Sequence, residues 1–280
     1  MLEQSTNDST VSPLSALELG RKANQLRLIA LEMIYRAGSG HPGSAFSAAE
    51  IITTLYYSVL RIRPSEPLWP LRDRVVLSKG HACSILYAAL ADLGFYPTGD
   101  LNRFREIGSH LQGHPKLGTP GIDVSTGSLG AGASVATGFA LAGRHQGFST
   151  YAILSDGEAN AGIVWEAALF AAHHRLSNLT FVLDRNMLQY TGPTEKVLAL
   201  EPLHSKWASF GWEVIEVDGH DTAELHSALQ RRNASGPRIV IAHTIKGRGV
   251  SFMENALTWH GTAHSTPDYE TAKAELLKLI

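Results

Sequence analysis

Asp156, in Ser155-Asp156-Gly157-Glu158, and Asn186, in Asp184-Arg185-Asn186-Met187-Leu188-Gln189, are the side chains whose type and spacing speak most directly of chemistry. An apolar run, Tyr151 to Leu154, leads into the aspartate, and a second, Leu179 to Leu183, leads into the asparagine. Between them Ile163 to Leu176 has apolar residues at helical spacing. The pattern predicts a strand–helix–strand unit whose strands are parallel, with both oxygen-bearing side chains at the carboxyl ends, where such sheets hold ligands. Carboxylate, amide and backbone oxygens suit magnesium or calcium, and magnesium usually completes its octahedron with ligand phosphates and water. The expectation is a metal-bound diphosphate at this spot. An Asp-Gly pair after a strand is otherwise only a turn, so the reading depends on the rest of the chain.

Histidines supply the second set. Four of the thirteen stand in loops beside glycine: Ser39-Gly40-His41-Pro42-Gly43, Ser78-Lys79-Gly80-His81, Gln112-Gly113-His114-Pro115 and Trp259-His260-Gly261. A histidine inside a helical stretch, such as His173 or His226, reads as a surface residue. In a Gly/Pro loop the backbone leaves the imidazole at the rim of a cleft, where it can donate to phosphates or hydroxyls or transfer protons near neutral pH. No two of these histidines have the spacing of an HExxH metallohydrolase helix. The glycines cluster in the same places, notably 113–132, 157–162 and 247–249, where backbone must turn sharply or approach a ligand.

The elements that must position these residues can be read coarsely. Residues 1–13 are polar and expected to be disordered. Leu14 to Ala37 reads as an amphipathic helix stopped at Gly38, and Ala45 to Leu60 as a second helix. Arg74 to Leu77 is a short buried strand, Cys83 to Leu93 a helix, residues 94–127 loop-rich, and Gly132 to Gly143 a small-residue helix. After the strand–helix–strand unit come strands Trp212 to Val217 and Arg238 to Ala242, separated by a helix from Thr222 to Arg231. One domain, residues 14–280, with a mostly parallel sheet and helices on both faces, accommodates this order.

Composition limits the partners. The net charge of −2, with no Lys/Arg run, gives no surface for nucleic acid. No apolar run approaches the length of a membrane span and the N-terminus lacks a signal-peptide pattern. The single cysteine, Cys83, rules out an internal disulfide framework and suits a reducing cytoplasm.

Taken in order, nine motifs carry a family resemblance. Ser39-Gly-His41-Pro-Gly43, Asp73-Arg-Val-Val-Leu-Ser-Lys-Gly-His81, Gly113-His114-Pro115, Ser125-Thr-Gly127-Ser128-Leu129-Gly130, Ser155-Asp156-Gly157-Glu158, Trp165-Glu166-Ala167, Asn186-x-x-Gln189, Thr244-Ile-Lys246-Gly-Arg-Gly249 and Trp259-His260-Gly261 together resemble transketolase, from about residue 15 to 265. The resemblance is to the N-terminal, thiamine diphosphate-binding portion, in the form found where a second chain supplies the pyrimidine-binding domain. It implies a three-layer α/β/α thiamine diphosphate-binding fold. It also implies a transferase that moves a two-carbon glycolaldehyde (ketol) unit from a ketose or its phosphate to an aldose. Asp156, Asn186 and the Leu188 carbonyl are implied as Mg²⁺ ligands. His81, Gly127, Ser128, Leu129, Asp156, Gly157, Glu158, Asn186, Leu188, Lys246 and His260 are implied around thiamine diphosphate. His41, Ser44, His114 and His260 are implied on the sugar's side, assisting its proton transfers, and Glu166 in a carboxylate network linking paired sites.

Two positions depart from the family. Ser155 stands where a glycine is common, and Ala161 where a glutamate of the inter-site network is usual. The glutamate that protonates the cofactor's aminopyrimidine belongs to the pyrimidine-binding domain in this family, and with Ile280 lying just past the diphosphate-binding portion no second α/β unit is expected to supply it. The expectation is therefore activity only with a partner chain, as an α₂β₂ assembly. Other thiamine-dependent subunits, deoxyxylulose-phosphate synthase-like or 2-oxoacid dehydrogenase-like, and a non-catalytic cofactor-binding scaffold are the alternatives.

Overall fold

The computed structural model describes residues 13–230, 235–262 and 264–280. Among the described residues five strands form one sheet: β1 (Arg74–Leu77), β2 (Thr150–Ser155), β3 (Leu179–Arg185), β4 (Glu213–Asp218) and β5 (Arg238–His243). Their order is β1-β2-β3-β5-β4 and every pairing is parallel, so the sheet is parallel throughout rather than mostly so. The helices are α1 (Ala16–Ala37), α2 (Pro42–Ser47), α3 (Ala49–Thr54), α4 (Cys83–Asp92), α5 (Ala131–Gly143), α6 (Gly162–His173), α7 (Thr194–Val197), α8 (Leu203–Ser209), α9 (Thr222–Gln230) and α10 (Thr266–Leu277).

β2 and β3 are buried along their whole length, which a parallel strand with helices on both faces requires and which explains their unbroken apolar runs. Their side chains still alternate between two cores. Ile153, Val182 and Val240 join Leu26, Ile34, Ile51, Ile85 and Leu225 on one face. Ala152, Leu154, Phe181, Leu183, Ile239 and Ile241 join Ala136, Val164, Trp207 and Trp212 on the other. Two cores separated by one sheet make the three-layer α/β/α arrangement.

Local signals set the ends of α1. Ser15 and Glu18 form a reciprocal capping box, and Gly38 takes left-handed backbone (φ 58°) at the C-terminal stop. The expected helix from Ala45 to Leu60 is instead broken into α2, α3 and a π turn at Leu55–Val59. Residues 42–54 are buried on every side, and the β-branched run Ile51-Ile52-Thr53-Thr54 gives little helical preference, so surroundings decide the path. α7, α8 and α10 were not anticipated. The expected disorder of residues 1–13 falls outside the described residues except at Pro13, and Arg231 of the expected helix also lies outside them.

α5 lies close on the end of β1 because of Gly132. A Cβ there would stand 2.7 Å from the Cα of Ser78. Gly132→Ala should therefore destabilise the protein by about 1–3 kcal/mol, although alanine is favoured over glycine by about 1 kcal/mol inside a helix. Denaturant or thermal unfolding checks this, and an unchanged or raised midpoint would refute the close-packing argument.

Candidate active site

Asp156 and Asn186 each follow directly on a strand, and the pairing of Ser155 with Asp184 brings the two strand ends level. Both side chains are buried. Asp156 Oδ1 accepts the Gly157 N–H (3.1 Å), while Oδ2 accepts the Met187 N–H (2.7 Å) and faces Arg185 Nη1 at 3.4 Å. Asn186 Oδ1 accepts the Leu188 N–H at 3.1 Å. Met187 between them adopts left-handed backbone (φ 67°), uncommon for a residue with a Cβ and typical of functional turns. Burial, and then the nearby Asp184 charge, push the Asp156 carboxyl up to about 6 despite Arg185.

Such a carboxylate is one that a bound cation would stabilise. Among the described residues no cluster of three His, Cys, Asp or Glu side chains is able to hold a metal. A cation here must draw on one carboxylate, an amide, a carbonyl and oxygens brought by a ligand. That donor set fits magnesium and not a thiolate- or imidazole-seeking metal.

Three of the loop imidazoles converge. His41 caps α2, His81 lies in a 3₁₀ turn (Gly80–Ala82) after β1, and His260 ends another (Leu257–His260). Their ring centroids are 5.3, 5.5 and 5.4 Å apart for the pairs 41/81, 41/260 and 81/260. His114 joins them: its Cδ2 stands 3.2 Å from where a Cβ on Gly80 would be and 3.6 Å from one on Gly127. His81 Nε2 and Ser44 Oγ are 3.0 Å apart. Lys246 Nζ donates to His260 Nδ1 (3.0 Å) and to the Leu188 carbonyl (3.2 Å), connecting the imidazoles to the metal-suited oxygens. Tyr190 stands edge-on to His260, with centroids 5.0 Å apart.

Electrostatics keeps this cluster neutral. Burial, then Arg105, His114 and Lys246, lower His41 to about 4; burial, then Lys246 and His41, lower His260 to about 3. His81 falls well below its ordinary value through burial and the Lys79 charge, and His114 falls through burial and Arg105. Burial and Lys79 bring Lys246 down to about 8.

The structure also sorts the other expected residues. Gly127, Ser128 and Leu129 are exposed, so their backbone N–H groups can meet a ligand, while the Ser128 carbonyl accepts the Ala131 N–H (3.2 Å), and Gly130 behind them enters α5 with φ 86°. Glu158 is fully buried beneath this loop. Its Oε1 accepts from Ser78 and from the Gly130 N–H (2.8 Å), and its Oε2 from the Ser155 N–H (3.1 Å), so it braces the loop and turns no oxygen outward. Burial outweighs those bonds and raises its pKa. Glu166 is exposed on α6 beside Ile163, Leu169 and Phe170. Ala161 caps α6, with its Cβ 3.0 Å from a Cβ placed on Gly130.

Sequence reasoning missed the support beneath the site. Lys79 and Asp184, both fully buried, form an ion pair. Lys79 also donates to the Ser44 carbonyl (2.9 Å), while Ser47 Oγ (2.6 Å) and Thr244 Oγ1 donate to Asp184. Burial alone would raise Asp184, but the Lys79 charge and these hydrogen bonds bring it below the usual range. The available signal was an aspartate ending an otherwise apolar strand, which demands a counter-charge.

The family model for the thiamine diphosphate-binding domain of transketolase matches residues 20–277. The chain is 43% identical over 267 residues to a 6-deoxy-6-sulfo-D-fructose transketolase subunit of Clostridium sp. (strain MSTE9), covering 94% of this chain and 97% of that one. It is 37% identical over 271 residues to an apulose-4-phosphate transketolase subunit of Phocaeicola vulgatus, covering 95% and 96%. Against human transketolase it is 41% identical over 242 residues, covering 85% of this chain and 39% of that protein. The crystal structure of Campylobacter jejuni transketolase superposes with a TM-score of 0.87 at 32% identity, over 92% of this chain and 42% of that one.

Two outcomes follow from the geometry. Lys79→Met leaves Asp184 buried without its counter-charge and should cost about 3–5 kcal/mol in urea unfolding; a loss below about 1 kcal/mol would refute the pair's role. The lowered His41 and His260 predict acid sensitivity with a definite sign. The unfolded chain, with imidazoles near 6.5, takes up protons first, so stability is full above about pH 6.5 and falls as pH drops toward 4. His41→Gln or His260→Gln should flatten that fall in melts run between these limits, and a slope equal to that of the parent would count against the assignment.

Proposed function

Because this chain belongs to the transketolase family, as its thiamine diphosphate-binding portion, we propose that it is the N-terminal subunit of a two-chain transketolase. In this reading it holds thiamine diphosphate and Mg²⁺ and transfers a two-carbon ketol unit from a ketose or ketose phosphate to an aldose acceptor. The observation that carries the proposal is the meeting of neutral His41, His81 and His260 with Lys246, beside the Asp156, Asn186 and Leu188 oxygens at the carboxyl edge of a parallel sheet.

Asp156, Asn186 and the Leu188 carbonyl would hold Mg²⁺. Gly127 to Leu129, Gly157, His81, Lys246 and His260 would hold thiamine diphosphate, with Glu158 fixing the loop from below. When bound, the cofactor supplies the electron sink for the two-carbon fragment. The chain's own part is to bind, orient and move protons. His41, Ser44, His114 and His260 hydrogen-bond the sugar's hydroxyls. Uncharged imidazoles can accept a hydroxyl proton and return it, and His114 is the most exposed of the four. Lys246 places a positive charge where the diphosphate is anionic.

Completion by a second polypeptide carrying the pyrimidine-binding domain is supported by the two relatives called subunits, which this chain matches over nearly their full length. The α₂β₂ assembly has support in α6, whose outward face exposes Ile163, Leu169 and Phe170 around Glu166. That placement suits a carboxylate linking paired sites across two copies. The site of action we propose is the cytoplasm; no helix among the described residues is long and apolar enough to cross a membrane.

The deciding experiment is calorimetric titration of the chain with thiamine diphosphate and Mg²⁺, with and without the polypeptide encoded beside it. Mg²⁺-dependent binding in the assembly, with ketol transfer from xylulose 5-phosphate or a similar ketose, is the expected result. Release of carbon dioxide instead would move the protein to another thiamine-dependent reaction. Asp156→Ala should abolish Mg²⁺-dependent binding without unfolding the chain. His114→Ala should leave cofactor affinity within about threefold and lower turnover by about 10²–10⁴; lost cofactor binding would show that the histidine roles are confused.

A further inference from the structure

His220 lies outside the cluster just described, in the turn between β4 and α9, with its side chain nearly buried. Its two ring nitrogens have different partners. Nε2 accepts the Ile245 backbone N–H at 2.8 Å, and Nδ1 stands 3.0 Å from Glu50 Oε2. A backbone N–H can only donate, so Nε2 carries the lone pair and Nδ1 carries the hydrogen, which points at the carboxylate. The chemistry of the neighbours fixes the tautomer.

Glu50 is itself held. It is buried on α3, and Arg27 of α1 donates to the same Oε2 at 2.5 Å. Arg27 is anchored in turn by the Phe46 carbonyl (3.1 and 2.9 Å) and Asn24 Oδ1 (2.8 Å). A continuous chain of hydrogen bonds, charge-assisted as far as His220, therefore runs from α1 through Arg27, Glu50 and His220 to the amide of Ile245. The next residue is Lys246. Backbone contacts make the same connection close: the Gly219 N–H bonds to the His243 carbonyl at 2.8 Å, and a Cβ on Gly219 would stand 2.9 Å from that oxygen.

We infer that His220 is a positioning residue for Lys246. By joining Glu50 to the Ile245 amide, it fixes the loop after β5 so that the ammonium reaches the Leu188 carbonyl and His260. The part of the inference that concerns the cofactor rests on the function proposed above; the hold on the Ile245 amide does not.

Three variants of His220 in the assembled holoenzyme test it. His220→Leu keeps the volume and removes both bonds; His220→Asn is too short to span both partners; His220→Gln can donate to Glu50 and accept from Ile245. The Leu variant should weaken thiamine diphosphate binding about tenfold to a hundredfold, as expected for a buried amide left unpaired. The Gln variant should restore affinity to within about threefold. In a Lys246→Ala background the Leu substitution should cost less than about threefold more, because its route to the cofactor is gone. A loss equal in both backgrounds would overturn the inference in favour of a merely structural histidine. If the Leu variant does not fold, the same cycle is run with Asn.

Amide hydrogen exchange over residues 243–250 and ¹⁵N-histidine spectra give readouts that need no cofactor. Faster exchange in the Leu and Asn variants, and an Nδ1-protonated tautomer in the parent, are expected. Unchanged exchange or the opposite tautomer would overturn the inference. A parent assembly that binds no thiamine diphosphate would instead defeat the proposed function, with the exchange result still deciding the role of His220.

Discussion

The buried pair of Lys79 and Asp184 is the interaction on which the arrangement of this protein's site depends. An ammonium and a carboxylate with no solvent contact cannot be stable unless each is the other's partner and their remaining valences are filled. The filling groups are the Ser44 carbonyl, the Ser47 hydroxyl and the Thr244 hydroxyl. Satisfying one ion pair thus draws together the end of β1, the end of β3, the segment after β5 and helix α2. These segments carry His81, Asn186, Lys246, and His41 with Ser44. Hydrophobic packing builds the sheet, but this pair sets how its carboxyl-end loops face one another.

Above that support the site has a consistent electrical character. Burial and nearby cations hold the imidazoles neutral, while burial and the Asp184 charge keep the Asp156 carboxyl at a raised pKa despite Arg185. Cationic Lys246 bridges the two halves. A metal ion accompanied by an anionic ligand would answer both conditions together, the metal meeting Asp156 and the anion meeting Lys246. Glycine makes the geometry possible by omission. At Gly43 a side chain would collide with the Trp259 carbonyl 2.9 Å away, so the His41 loop could not lie beside the His260 loop.

Support also arrives from the turns that follow β2 and β4. Glu158 grips the amide of Gly130 from below, and His220 grips that of Ile245 from the flank. In both cases a buried polar side chain holds the backbone amide of a loop that bears on the site. Such bonds leave no mark on the site's outline, yet without them the loops would have unpaired amides and alternative conformations.

Much of this was legible in the residues themselves. The unbroken apolar runs around Leu154 and Leu183 gave parallel strands, because a strand covered on both faces has no polar side to display. Asp156 and Asn186 stand at the ends of those strands, as their apolar lead-ins required, and glycine beside four histidines picked out loops whose imidazoles meet, although only His114 is exposed. These are local relations, carried by neighbours in the chain. What tertiary structure alone decided is of another kind. The Ala45 to Leu60 helix broke because packing on every side outweighed propensity. Glu158 turned inward because the Gly130 and Ser155 amides there needed an acceptor. Lys79 found Asp184 across 105 residues, and His220 found Glu50 across 170, because buried charges and amides must be paired wherever the fold puts them. A sequence shows that a charged residue sits in an apolar run; only the folded chain shows which distant group relieves it.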